Sequence, residues 1–317
     1  MRTIYAVIAL AVLSCASLFI GNIPITLNDL LSWSSDKVEV LFLTRFPRLA
    51  AVLITGAGMS ICGLIMQHIT RNRFVSPTTG ASVNSAHFGL LVATIFFSAY
   101  GYISSLFFAA AFAMAGTFAF VFLIRKIKVR SLEMVPLLGI MLGILIEAMA
   151  TFLAYRYNMV ESLSAWMIGS FTWIISGRYE LLYLSVPMVL IAFIYANKFT
   201  VAGMGEDVSL SLGLKYDQVV NIGLGITSVV TAVVVIIVGA VPFLDLIVPN
   251  IVSLTKGDNL RRTIWDTAIF GALFLLICDI FSRLVIFPYE VPIGLTVGVI
   301  GSITFLILLF RRRAYER

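Results

Sequence analysis

The chain has 317 residues, 60% of them hydrophobic and only 12% charged, whereas a soluble domain carries about 25% charged residues. No water-soluble fold can hide that much apolar surface, so a soluble enzyme or binding domain is excluded and a membrane protein is indicated. The net charge of +6 comes from basic residues placed between apolar runs, which is the pattern of membrane anchoring and not of nucleic-acid binding.

In chain order, the first apolar run covers residues 4–20 behind Arg2. It resembles a signal peptide, but the runs that follow mark it as a retained first helix. They lie at 49–69, 83–98, 104–124, 134–155, 181–196, 219–241, 246–254, 264–287 and 291–310. A bilayer core about 30 Å thick takes roughly 20 apolar residues per helix, which predicts one all-α polytopic domain over 1–317, a bundle of about ten transmembrane helices. Only the Tyr100-Gly101-Tyr102 break divides the third run from the fourth. The eighth is too short to cross alone, and Pro242 and Pro249 bracket it; a proline inside a helix removes a backbone bond that protein or water must replace.

With a cytoplasmic N-terminus, Arg2, Arg71, Arg73, Arg125, Lys126, Lys128, Arg130, Lys198, Lys215, Lys256, Arg261, Arg262, Arg311 to Arg313 and Arg317 fall inside. Lys37, Arg45, Arg48, Arg156, Arg178 and Arg283 remain outside. Basic residues resist translocation, so both termini are expected in the cytoplasm. The connection 157–180, with Trp166, Trp173, Gly169 and Gly177, is expected outside at the headgroup level, where Trp is enriched. The connection 197–218, with Gly203, Gly205, Glu206, Asp207 and Gly213, is expected inside as short helical turns.

Thr44-Arg45-Phe46-Pro47-Arg48 stands at the outer end of the second span. Arginines there run against the positive-inside preference, and snorkelling to phosphate headgroups and docking of a partner explain them equally well. Gly139 with Gly143, and Gly294 with Gly298, have the spacing that lets helix backbones approach closely. Glu147, Asp245, Asp279 and Arg283 are the ionisable residues within spans, and such groups pair or line a wet cavity. Asp279 and Arg283, four residues apart on one helix face, suit a structural pair. Glu147 has no local partner, which favours a water-lined pathway, and Asn84 and His87 fit either a pathway or polar packing. There is no GxxxxGK[ST], HExxH or GxSxG. With two histidines a histidine-rich metal site is excluded, and Cys15, Cys62 and Cys278 read as small core residues.

Along nearly its whole length the chain resembles the ten-helix permeases of bacterial iron-siderophore and vitamin B12 ABC importers. Arg45-Phe46-Pro47-Arg48 with Gly56, Gly63, Gln67, Asn72 and Pro77 resembles one signature of that family. Residues 239–250, from Gly239-Ala240-Val241-Pro242 to Pro249-Asn250, resemble a second, and Asp279, Arg283, Pro292, Gly294 and Gly301 fit its last two helices. Asn250 stands where the family has His, Asp245 where it has Gly, and Arg73-Phe74 where it has Pro-Leu. The form of residues 71–79 is most similar to the branch importing ferric catecholates, petrobactin among them.

The resemblance implies a type II ABC importer permease fold in a membrane-lipid environment, with the other working parts on separate chains. These are a second permease, a copy or a paralogue; cytoplasmic ATPases that hold ATP and Mg, this chain holding no cofactor; and an extracellular or periplasmic siderophore-binding protein. It implies that Arg45, Arg48 and Arg283 receive acidic residues of the binding protein. Gly205, Glu206, Leu212 and Gly213, within a coupling segment at about 198–218, would meet the ATPase. Gln67, Asn84, Glu147 and Asn250 are the pathway candidates. The rival readings are a permease for free metal ions, disfavoured by scarce histidine and carboxylate, an ion-coupled secondary transporter using Glu147 or Asp279, and a relative carrying haem or cobalamin.

Overall fold

The structure, a computed structural model, describes residues 2–21, 35–127, 134–177 and 179–315. Lys128, Arg130, Arg178 and Arg317, which entered the charge asymmetry, lie outside the described residues. α1 (Arg2–Phe19) is followed by a short α2 (Ser35–Val40), which runs through a π turn (Leu41–Arg45) into α3 (Phe46–Thr70). Pro47 explains the wide turn: it has no N–H to give the carbonyl of Leu43, four residues back. That carbonyl accepts instead from the Ser176 amide at 2.9 Å.

α4 (Ser82–Phe96) and α5 (Gly101–Ile127) form a hairpin across the predicted break, and α6 (Met134–Arg156) packs on α4. After α7 (Val160–Met167), α8 (Ser185–Ile194) meets α9 (Ala196–Ala202) at a 63° bend, and α10 (Glu206–Ser211) follows. α11 (Tyr216–Ile237), α12 (Leu244–Lys256), α13 (Leu260–Leu284) and α14 (Ile293–Tyr315) complete the bundle.

Five of these segments are long and apolar enough to cross a bilayer, Lys37–Thr70, Ile103–Ile124, Met134–Arg156, Tyr216–Ile237 and Leu260–Leu284. The bent pair α8–α9 would make a sixth, and three shorter apolar helices, Thr3–Phe19, Ser82–Phe96 and Ile293–Leu308, accompany them. α12, with 13 residues, is about 20 Å long at 1.5 Å per residue, short of the hydrocarbon thickness. It starts inside the bundle.

α3 is the axis. Most of its residues are buried, and it packs against α8, α11, α12 and α13. α11 then joins this group to the α4–α5 hairpin. The approach of α12 to α3 follows from two residues. Pro249 cannot donate to the carbonyl of Asp245 four residues earlier, and that oxygen faces Gly63 so closely that a Cβ there would lie 1.7 Å away. Only a residue without a side chain lets the freed carbonyl sit against the α3 backbone as a Cα–H···O contact.

Two expectations need correction. The segment 157–180 does not simply lie at the headgroup level. Although Trp173 is 80% exposed, Phe171 and Ile174 are buried, the Ser170 amide donates to Val238 at 2.8 Å, and the carbonyl of Gly169 accepts from the Gly294 amide at 3.0 Å. α11 ends at Ile237 and residues 239–242 are not helical, so the Val238 carbonyl is one of the open acceptors at a helix end, and the segment is pulled in there. Cys62 and Cys278 are buried as expected, but Cys15 faces outward on α1.

Candidate functional site

At one end of the bundle the turn of Pro47 aims Arg45 and Arg48 toward the end of α13 and the loop that follows it. Arg48 donates from Nε and Nη2 to Asp279 Oδ1, at 3.1 and 2.9 Å, and from Nη1 to both oxygens of Glu290, at 2.9 and 2.8 Å. Arg283 donates to the other oxygen of Asp279 at 2.6 Å, and to the carbonyls of Ser17 and Ile20, each at 3.0 Å. Asp279 is therefore shared by two guanidinium groups, which is the way a buried carboxylate is satisfied in low dielectric. Arg45 bonds the carbonyl of Ile20. It is less enclosed than the other two arginines.

Glu290 lies between the last two spans and also accepts from the Thr172 hydroxyl at 2.9 Å. Burial alone would raise its pKa, but the Arg48 charge and the hydrogen bonds from Arg48 and Thr172 hold it below the usual carboxylate range, so it is charged at neutral pH. A cleft of ≈ 310 Å³ opens here, lined by Arg45, Arg48, Phe171, Thr172 and Glu290 among others.

The three arginines named from sequence thus stand together, with Arg283 only 3% exposed. Sequence reading missed Glu290 and Thr172. The available signal was Glu290 itself, a lone acidic residue seven positions after Arg283 in a short apolar loop. Asp279 and Arg283 form the expected i,i+4 pair.

At the opposite end α9 bends away and α10 begins at Gly205, whose φ of +116° and ψ of 165° fall in a region open essentially to glycine alone. The buried Ser209 hydroxyl ties the turn down by donating to the carbonyls of Gly205 at 2.6 Å and Val201 at 3.1 Å. This turns Met204, Leu210 and Leu212 outward, at 58, 57 and 65% exposure, beside an exposed Glu206. Gly213, at φ +76° with open space around it, closes the turn. A cavity of ≈ 380 Å³, lined by Gln67, His68, Arg71, Thr200, Met204 and Asp258 among others, lies behind it.

The four pathway candidates fall into two pairs. Gln67 and Asn250 both donate to the carbonyl of Leu246, at 3.4 and 2.8 Å, and Asn250 also to that of Arg73 at 2.8 Å. Asn84 on α4 donates to Glu147 on α6 at 3.2 Å, so Glu147 has the partner that its own helix lacks. Gly139 and Gly143 lie two turns and one turn before it, against the Thr79 carbonyl and the Asn84 side chain respectively. Among the described residues no group of three or more His, Cys, Asp or Glu could hold a metal ion.

Known proteins share this architecture. A solved metal-chelate type ABC transporter, captured facing inward, superposes with a TM-score of 0.82 at 25% identity, covering 97% of this chain and 98% of that one. The chain is 48% identical over 315 residues to the petrobactin import permease YclN of Bacillus subtilis, covering 99% of this chain and 100% of the relative. It is 38% identical over 309 residues to the ferric-anguibactin permease FatD of Vibrio anguillarum, covering 98% of each. The model of the FecCD transport family matches residues 9–311, and with a match of that extent the chain belongs to this family.

Proposed function

We propose that the chain is the membrane-spanning permease of an ATP-driven importer and carries ferric siderophore of the catecholate kind across the cytoplasmic membrane. The observation that carries this is the 48% identity across the full length of a permease named for petrobactin. Relatives named for hydroxamate, molybdate and ferric citrate match at only 27–30%, so the cargo varies where identity is low. An ion-coupled carrier has little support, since Asp279 is held between two arginines and Glu147 by Asn84. Uptake of labelled iron in a deletion strain, against a complemented one, tests the reading with ferric catecholates, ferric hydroxamates, haem and, separately, labelled cobalamin. Loss confined to catecholates is expected; loss confined to another ligand overturns the substrate.

In this reading 1–317 is a single permease domain with both termini in the cytoplasm, paired with a second permease. ATP and Mg reside on cytoplasmic ATPases. The Arg45 end faces outward and receives acidic residues of a siderophore-binding protein, chiefly setting register and on-rate. Arg45 gives the cleanest test because Arg48 and Arg283 also hold Asp279. Arg45→Glu is expected to weaken docking on the order of tenfold at low salt and less at high salt, measured by surface plasmon resonance on reconstituted importer. Unchanged affinity removes the arginine cluster from that role.

The turn at 205–214 presents Leu212 to the ATPase. Because that side chain is exposed, Leu212→Glu leaves the fold intact but places a charge in an apolar contact. Uptake is expected to fall on the order of tenfold, the factor that 1.4 kcal/mol of lost contact produces, while ATP hydrolysis continues. If uptake still tracks hydrolysis in proteoliposomes, the contact lies elsewhere on the chain.

A further inference from the structure

The docking reading leaves one feature of the arginine end without a purpose. Arg48, the residue meant to take a carboxylate from the partner, already holds one. Both Nη1 bonds go to Glu290, and the Nε and Nη2 edge is turned to Asp279. A guanidinium has five N–H groups in a fixed fork, so an incoming carboxylate finds the outward edge occupied.

The two carboxylates that hold Arg48 are not alike. Asp279 is 1% exposed and is also bonded to Arg283 within a helix. Glu290 belongs to a short loop whose neighbours Phe287 and Tyr289 are 60% and 77% exposed. Its side chain is 18% exposed, borders the ≈ 310 Å³ cleft, and is otherwise held by the hydroxyl of the exposed Thr172. Water can reach Glu290 and replace what it loses, whereas withdrawal of Asp279 would leave the buried Arg283 without its ion-pair partner.

We infer that Glu290 is an exchangeable stand-in for a carboxylate of the siderophore-binding protein, occupying the outward edge of Arg48 until the partner arrives and then yielding it. This rests on the docking reading above. The stand-in keeps Arg48 extended and satisfied in the resting permease, so a preformed site costs no unpaired charge. It also sets a threshold: a partner must offer a carboxylate better placed than Glu290, which filters weak encounters. On undocking Glu290 returns, which favours release.

The sign of one substitution separates this from a merely structural role. Glu290→Gln keeps shape and an acceptor for Arg48 and Thr172 but gives up the charge-assisted bond, which is about twice as strong as a neutral one. If Glu290 competes with the partner, the affinity of the binding protein for reconstituted importer rises, by roughly three- to tenfold, the factor by which an ionic hydrogen bond exceeds the neutral one that Gln keeps. If Glu290 only orients Arg48, affinity stays or falls, and the inference is overturned. Thr172→Val is the second variant. It removes no charge and loosens Glu290 from the other side, so affinity is expected to rise about twofold on the same grounds; no rise overturns the exchange.

Measurements at low and high salt add a control. A gain that disappears at high salt reflects the long-range field alone and also overturns exchange, while a gain that persists supports it. Arg45→Glu keeps the two layers apart. If it weakens docking while Glu290→Gln does not tighten it, the exchange fails and the docking reading stands. If it leaves docking unchanged, the docking reading itself fails.

Discussion

Asp279→Ala is expected to remove most of the folded permease. The carboxylate is 1% exposed and is the shared acceptor of Arg48 and Arg283, so its loss leaves the buried Arg283 without its ion-pair partner and Arg48 with one carboxylate in place of two. Breaking a buried pair in this way costs about 3–5 kcal/mol, a large fraction of the stability of an ordinary domain. Arg48 retains Glu290, but Arg283 is left with carbonyl and hydroxyl acceptors of Ser17 and Ile20, which satisfy its protons and not its charge. The thermal midpoint of detergent-solubilised protein, followed by size exclusion, reads this directly. Asp279→Asn is expected to lose less, since one acceptor oxygen survives. Replacing Arg283 by Met in the Asp279→Ala background is expected to recover about 1–2 kcal/mol, because an apolar replacement of a buried pair is often neutral. A midpoint for Asp279→Ala close to wild type would mean that the network does not hold the helices together.

Gly63→Ala is the second large effect, and it arises from packing instead of charge. One methyl group added there would come within 1.7 Å of the carbonyl oxygen of Asp245 and 2.6 Å of its carbonyl carbon. Both are backbone atoms of α12, so no side chain can rotate out of the way. α12 must move from α3, and this also disturbs the bonds from the Thr78 amide and hydroxyl to the Asp245 carboxylate, all at 3.0 Å. Overpacking costs about 1–3 kcal/mol where side chains can adjust; with backbone against backbone a loss of at least about 3 kcal/mol is expected on the same basis. Gly225→Ala provides the control, since a Cβ there meets nothing within 4 Å and the helix gains from alanine. If the two substitutions lower the thermal midpoint equally, the contact between α3 and α12 is not the cause.

The outline of this molecule was legible in its composition and runs. Apolar segments mark helices because each must span hydrocarbon by itself, a local requirement. The short eighth run, which follows Pro242 and contains Pro249, was likewise readable, as was the pairing of Asp279 with Arg283, because i,i+4 neighbours meet on any helix. The small-residue turn at 205–214 could be placed, although which of its leucines point outward depends on how Ser209 is tied to the bundle.

What lay beyond the sequence were the contacts that neighbouring residues do not determine. Glu147 looked unpartnered because Asn84 comes from another helix. Leu43 and Asp245 each lie four residues before a proline and Val238 follows the last residue of a helix, so open carbonyls could be anticipated, but not that Ser176, Gly63 and Ser170 would meet them. The same holds for Arg48, whose partners Asp279 and Glu290 are 231 and 242 positions away. By itself the sequence determined which segments are helical and apolar, where basic residues cluster and which charges share a helix face, since these follow from periodicity and transfer energy along the chain. Only the tertiary structure decided that Arg48 already holds a carboxylate at the arginine end of the bundle and that Gly63 is a point of backbone contact, because pairing between distant helices is set by how their surfaces pack.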